Sequence, residues 1–290
     1  MGCKQWAFDR IFVAGALGED LTGCIGIDVF AGSGIVGREM ARRGAIEVVT
    51  SEAAAGPRAL LRMLSIPNGT EHLHRHASLF AQGYIEAEGA AKHYYDMRAG
   101  LNRAIERGDE DVVAAIWLVL SSICFNGLWR VNRAGDYNVP MGKRRVKGAN
   151  KPQVARVSSL ADLEAAAALT QRTTIFRDWR ETLQFVEDRA AAYAVRMRGV
   201  WDPPYHGSEV AYVGAPFTDE DRAEGAERIA ELCSLGARFV VHDSLSAESF
   251  YMDAAADTCS IRCYHVPARA SVSRDAKQRG QKLELLAVLS

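Results

Sequence analysis

The chain has 290 residues, of which 48% are hydrophobic and 24% charged, with a formal net charge of −1 at neutral pH. This is average globular usage, which excludes a disordered chain, and the length is enough to bury a full core without disulfide staples. The longest apolar run, Val112 to Cys124, is broken by two serines and is too short for a membrane span.

The chain opens without a charged-then-apolar leader, and Met1-Gly2-Cys3 is followed by Trp at position 6, where an acylation pattern needs Ser or Thr. Cys3, Cys24, Cys124, Cys233, Cys259 and Cys263 are scattered singly, with no CxxC pair. The expectation is a soluble cytoplasmic protein in a reducing compartment, with no metal and no membrane partner, and a monomer by default.

In chain order, the apolar run Ile25–Phe30 leads into Ala31-Gly32-Ser33-Gly34, an Ala- and Arg-rich helical stretch, and a second strand-like run at Ile46–Ser51. Strand, glycine turn, helix and strand make a βαβ unit and imply a parallel sheet. From Pro57 to Trp129 the pattern is mostly helical. A polar stretch from Asn126 to Asn150 reads as a hairpin or ordered loop. A helix over Leu160–Leu169 follows, opened by Ser158-Ser159 as cap candidates. Strand patterns then recur at Thr173–Phe176, Gly199–Trp201, Arg238–His242, Ser260–Val266 and Leu283–Leu289, with an acid-led helix at Thr218–Leu235 between two of them. The half-polar run Arg196–Trp201 predicts a short strand or an open sheet edge. His72, His74 and His76 alternate, as on one face of a solvated strand or loop, where a metal site is the weaker reading. Trp117 and Phe125 are expected to pack a core.

Charge is unevenly placed. Between Asn126 and Arg156 lie eight basic residues and one acid, giving +7, while the rest of the chain carries −8. A basic stripe on an acidic body suits a phosphate backbone approaching one face, and equally suits a solvated loop.

Two motifs carry chemistry. In Asp28-Val29-Phe30-Ala31-Gly32-Ser33-Gly34, glycines at a strand-to-helix turn let a ligand approach the backbone, and Glu52, twenty residues past Gly32, is placed to accept hydrogen bonds from ribose hydroxyls. With Gly37 the turn also satisfies GxGxxG, so a nicotinamide oxidoreductase stays open here. The second motif is Asp202-Pro203-Pro204-Tyr205. An aromatic exocyclic amine is a poor nucleophile because its lone pair is delocalised. A carboxylate and a carbonyl held rigid by two prolines can accept both N–H protons and favour a tetrahedral nitrogen, while the tyrosine stacks on the base.

DPPY after a strand, with DVFAGSG upstream, resembles the adenine-specific DNA methyltransferases, and more closely the DNA adenine methylase (Dam) family. Residues Cys124–Lys143 are similar to that family's [FY]NGLxRxNxxGxFNVPxG signature, Tyr94-Tyr95-Asp96-Met97-Arg98 looks like its YYxxR stretch, and Lys282-Leu283-Glu284-Leu285-Leu286 resembles its closing strand.

The resemblance implies an α/β fold: a Rossmann-like methyltransferase sheet interrupted by a helical and hairpin DNA-recognition insertion. Residues 1–57 and 154–290 would form the catalytic domain and 58–153 the target-recognition domain. It implies S-adenosyl-L-methionine as cofactor, double-stranded DNA as partner, a bacterial or viral origin, and adenine N6 methylation as the activity, with GATC the recognition sequence it suggests. Gly32 and Gly34 would line the methionine end, Asp28 would hold its amino group, Glu52 the ribose, and Asp178 would lie near the cofactor adenine, with Trp6, Phe30 and Trp179 completing that site. Asp202, Pro203, Pro204 and Tyr205 would hold the target adenine. DNA contacts would come from Asn126, Leu128, Arg130, Asn132, Arg133, Asn138 and Pro140, with Arg130 reading a base edge, and from Lys143, Arg144 and Arg145 on phosphates.

The departures are an opening KWxGGK kept only in part by Lys4–Arg10, and His242-Asp243 where an Asn-containing turn is usual. Three rivals remain: an RNA or protein-amide methyltransferase, a non-catalytic DNA-binding descendant, and the oxidoreductase.

Overall fold

The computed structural model describes residues 11–12, 17–146, 149–192, 195–207, 213, 216–268 and 282–290. Trp6 and Lys147 lie outside them. Strand β1 (Cys24–Asp28), helix α1 (Ile35–Arg42) and strand β2 (Glu47–Ser51) form the expected βαβ unit. Helices α2 (Ala55–Ser65), α3 (Gly69–Glu86), α4 (Ala90–Arg107) and α5 (Glu110–Ile123) follow, then hairpin β3 (Lys143–Val146) and β4 (Ala149–Pro152), and α6 (Leu160–Thr170). The chain continues through β5 (Thr173–Phe176), α7 (Trp179–Ala192), β6 (Arg196–Trp201), α8 (Asp219–Ser234), β7 (Arg238–Ser244), α9 (Glu248–Ala255), β8 (Ile261–Ala268) and β9 (Lys282–Leu289).

The main sheet runs β5-β2-β1-β6-β7-β9-β8, with β9 antiparallel to both neighbours and the other pairings parallel. This is the α/β, Rossmann-like sheet expected from the sequence. Successive strands step outward from β1 in one direction and from β6 in the other. The C-terminal ends of β1 and β6 therefore flank the crevice where open α/β sheets bind ligands. Strands β1 and β2 are almost wholly buried, as strands inside a parallel sheet covered on both faces are.

Strand β6 departs from expectation. It is neither short nor at an edge: six residues long, it lies between β1 and β7. Its arginines are accommodated at the far end of the strand, where Arg196 donates to the Thr22 carbonyl (2.7 Å) and Arg198 to that of Met197 (2.8 Å). Met197, Gly199, Val200 and Trp201 are buried, and Gly199 leaves the space that the Phe239 ring of β7 fills.

The histidine trio also departs. Residues 72, 74 and 76 lie in α3, because Leu73, Ala77, Ala81 and Tyr84 form a buried stripe at helical spacing that outweighs the local alternation. His72 and His76 stack at 4.1 Å, and His72 Nε2 pairs with Asp111 (3.0 Å). Phe125 is 40% exposed rather than core, since α5 ends at Ile123 and Phe125 enters a single 3-10 turn; Trp117 packs edge-on against Trp129 as expected.

The helices between β2 and β5 have their own hydrophobic core, running from Ala54 to Leu163 and including Tyr94, Leu101, Trp117, Trp129 and Tyr137. It takes in α2 and α6, which pack on each other. Serine 159 caps α6 in a reciprocal box with Asp162, and Thr218 caps α8 likewise with Asp221. Among the described residues, no helix is long and apolar enough to cross a membrane.

Because Gly199 sits under the Phe239 ring, Gly199→Val should destabilise the fold by about 1–3 kcal/mol. A urea titration should show it as a lower midpoint with unchanged slope.

Candidate active site

Six elements deliver polar residues to one end of the sheet. Asp28 ends β1, Glu52 follows β2, Asp178 follows β5, Asp202 follows β6, and His242 and Asp243 lie near the end of β7. Glu284 is near the start of β9, opposite Ser244 of β7, so the antiparallel strand contributes its N-terminal end to the same edge.

The turn after β1 needs positive φ at Gly32 (54°) and Gly34 (71°), and a side chain at Gly34 would meet Leu61. Glu52 ties this turn to the next helix: Gly32 N–H donates to one carboxylate oxygen (2.6 Å) and Ala54 N–H to the other (2.7 Å). Asp28 accepts from Gly37 N–H of α1 (3.0 Å) and is 3% exposed. Burial pushes both carboxyls up to about 7, against the opposing effect of these N–H bonds, and the nearby Asp202 charge raises Asp28 further. Such a cradle favours a cation. It disfavours a dinucleotide pyrophosphate, since an internal carboxylate already holds the Gly32 N–H that a phosphate would use.

Phe30 packs edge-on against Trp201 (5.0 Å) and Phe217 (5.6 Å), and Trp179 against Trp201 (5.4 Å), so these residues form one aromatic wall beside the crevice. Asp178 is exposed and opens α7, accepting from Arg180 N–H (2.9 Å) while its own N–H donates to Glu181 (3.1 Å).

The DPPY turn rests on an ion pair that the sequence motifs leave out. Arg222 of α8 and Asp243 of β7, 1% and 0% exposed as side chains, are directly paired, and Arg222 Nη2 also donates to the Pro204 carbonyl (2.7 Å). Asp243 further accepts from the Tyr251 hydroxyl (2.8 Å), Ser244 N–H (2.7 Å) and His206 N–H (3.2 Å), and Trp201 Nε1–H donates to the Tyr251 oxygen (3.1 Å). Both ends of Asp202-Pro203-Pro204-Tyr205 are thereby fixed. The Pro204 carbonyl is taken by Arg222, whereas no described residue donates to that of Pro203. The available signal was polarity in an apolar strand: His242-Asp243-Ser244 closes Phe239-Val240-Val241.

The insertion segment 124–142 is fastened mainly through its backbone. Tyr94 donates to the Val139 carbonyl (2.9 Å), Arg98 to those of Asn138 and Val139 (both 3.3 Å), and Asn102 exchanges bonds with Tyr137 N–H (2.9 Å) and carbonyl (3.3 Å). Arg130 is half-buried, and its guanidinium is aimed by Asn138 through Nε–H to Oδ1 (2.7 Å). Asn132 shapes its own turn, accepting from Ala134 and Asp136 N–H (both 2.9 Å). Leu128 packs on the insertion core, whereas Asn126, Arg133, Pro140, Lys143, Arg144 and Arg145 are exposed. Asn126 adopts positive φ (52°), which asparagine tolerates well. Among the described residues, no three His, Cys, Asp or Glu gather as a metal site.

Residues 24–262 match the family model "D12 class N6 adenine-specific DNA methyltransferase". Curated relatives include the type II methyltransferase M.MjaIII of Methanocaldococcus jannaschii, 26% identical over 57% of this chain and 54% of its own length. DNA adenine methylases of Vibrio cholerae (27%, 68% of this chain, 65% of theirs) and Escherichia coli K12 (25%, 71% and 67%) are similar too. The chain thus spans about half to two thirds of the length of these relatives. A solved methyltransferase complexed with SAH aligns with 93% of this chain and 46% of its own at 7% identity, with a TM-score of 0.35, too distant to carry an argument.

Removing one partner of the buried pair leaves an uncompensated charge, so Asp243→Ala should cost about 3–5 kcal/mol. Adding Arg222→Met should recover part of that loss in a denaturant titration, because the stranded guanidinium is then gone.

Proposed function

Because the chain belongs to the D12 class N6 adenine-specific DNA methyltransferases, we propose that it transfers a methyl group from S-adenosylmethionine to the N6 of an adenine in duplex DNA, with GATC the first sequence to test. The carrying observation is the rigid Asp202–Tyr205 turn beside a carboxylate-lined glycine cradle at the β1/β6 crevice. We further propose that residues 58–153 form the target-recognition domain and that the remainder is the catalytic domain.

The residues present fit the cofactor. Asp28 and Glu52 suit its ammonium and ribose hydroxyls, Gly32 and Gly34 its methionine end, and Phe30 and Trp179 its apolar surroundings; Asp178 would face its adenine. When bound, S-adenosylmethionine supplies an electrophilic methyl carbon on a sulfonium. The target amine cannot reach that carbon from inside a duplex, so the adenine must be flipped out, at a cost of a few kcal/mol. In the pocket, Asp202 and the Pro203 carbonyl accept its two N–H protons, and the Tyr205 ring lies against the base. These acceptors counter delocalisation of the nitrogen lone pair and stabilise the positive charge that grows on nitrogen. The basic hairpin suits phosphates, and Arg130, aimed by Asn138, suits a base edge.

Asp202→Ala should reduce methyl transfer by at least ~100-fold while cofactor binding, measured calorimetrically, persists; retained turnover would reject the assignment. Arg130→Ala should relax sequence choice. Lys143→Ala should weaken binding to every duplex and lower the salt slope by about one. Equal effects from these two substitutions would reject that division.

The pH dependence follows from the cradle. Asp28 and Glu52 are protonated more readily in the fold than in the unfolded chain, so in the cofactor-free protein their contribution to stability falls as pH rises from about 4 to 7. A cation bound between them favours the ionised forms. Cofactor affinity should therefore rise between about pH 6 and 8 with proton release to buffer, and Asp28→Asn should flatten that rise.

A further inference from the structure

The Tyr205 hydroxyl is held with more care than stacking requires. A ring that only stacks on a base needs no bond to its oxygen. Here that oxygen lies 2.7 Å from His242 Nδ1 and 3.3 Å from Glu284 Oε2. His242 is 2% exposed, its Nε2 makes a close approach to the same Glu284 oxygen (3.0 Å), and its Nδ1 lies 3.5 Å from Asp202 Oδ1. The imidazole meets the tyrosine ring edge-on, with centroids 5.6 Å apart. Both supports stand on the sheet rather than on a loop, His242 in β7 and Glu284 opposite Ser244 in β9.

We infer that His242 and Glu284 are positioning residues for methyl transfer, which hold the Tyr205 ring in place by gripping the oxygen at its far end; this rests on the methyltransferase reading above. The hydroxyl can donate to the imidazole, or donate to the carboxylate while Nδ1–H donates to its oxygen. Either arrangement pins the ring. Burial, together with the Asp202 and Glu284 charges, holds the phenol well above its ordinary range, so it remains a protonated donor. Anchoring the far end of the ring preorganises the pocket: a flipped adenine then meets a surface already in the position that sets its amine against Asp202.

A double-mutant cycle tests this on the full chain, with a duplex oligonucleotide carrying GATC and labelled S-adenosylmethionine. Tyr205→Phe keeps the ring and loses the hydroxyl, and His242→Asn removes the imidazole support. Each should lower kcat roughly tenfold, with the KM for cofactor little changed, and the double variant should be no slower than the slower single one. Glu284→Gln should give a smaller loss that disappears in the Y205F background. The same cycle read by urea unfolding separates contact from global damage. A His242 variant that merely destabilises the fold would lower activity equally in both backgrounds, and that outcome overturns the inference. Full turnover by Tyr205→Phe, or multiplicative losses in the double variant, also overturns it while leaving the methyltransferase reading intact. Absence of transfer by the unaltered protein to any duplex containing adenine would overturn that reading and the inference together.

Discussion

The parallel pairing of β1 with β6 is the constraint on which the site depends. It joins Asp28 to Val200 in register and brings together two strand ends separated by more than 170 residues of chain. Since β2 and β5 lie to one side and β7 to the other, the loops leaving β1 and β6 turn away from each other and open a crevice. The whole helical insertion hangs between β2 and β5, on the β2 side of that crevice, and can carry its own core without disturbing the β1–β6 register.

The same adjacency creates an electrostatic problem. Asp28 and Asp202 repel each other, Glu52 stands nearby, and burial opposes the ionisation of Asp28 and Glu52. Backbone N–H groups of Gly32, Gly37 and Ala54 offset part of that cost. The remainder makes the crevice receptive to positive charge. On the β7 side the solution is different: Asp243 is matched by a buried arginine, and the pair is spent on holding the Pro204 carbonyl. One end of the sheet thus holds acids kept available and an acid fully committed.

Much of this was legible in the sequence because it lies in local patterns. The βαβ unit, the capped start of the helix after Ser159 and the strands from 173 onward follow from apolar runs and turn chemistry. The placement of β6 was not legible, because Arg196 and Arg198 find partners at the strand's far end and Gly199 makes room for Phe239, both tertiary facts. The helical path through His72–His76 was masked by a two-residue alternation, although Leu73, Ala77 and Ala81 carry the stronger period. Of the site, DPPY, the glycine turn and Glu52 stand out as motifs. The grouping of Arg222, His242, Asp243 and Glu284 does not, since it is tertiary: α8 packs on β7, and an antiparallel β9 brings an acid near its start to the ends of parallel neighbours.

The fastening of the 124–142 segment has an evolutionary consequence. Tyr94, Arg98 and Asn102 grip main-chain carbonyls and an amide, groups that every residue but proline possesses. The path of the segment is therefore largely independent of which side chains it displays at exposed positions such as Asn126, Arg133 and Pro140. Substitutions there can accumulate without unseating the backbone, so that one scaffold can present many different outward faces.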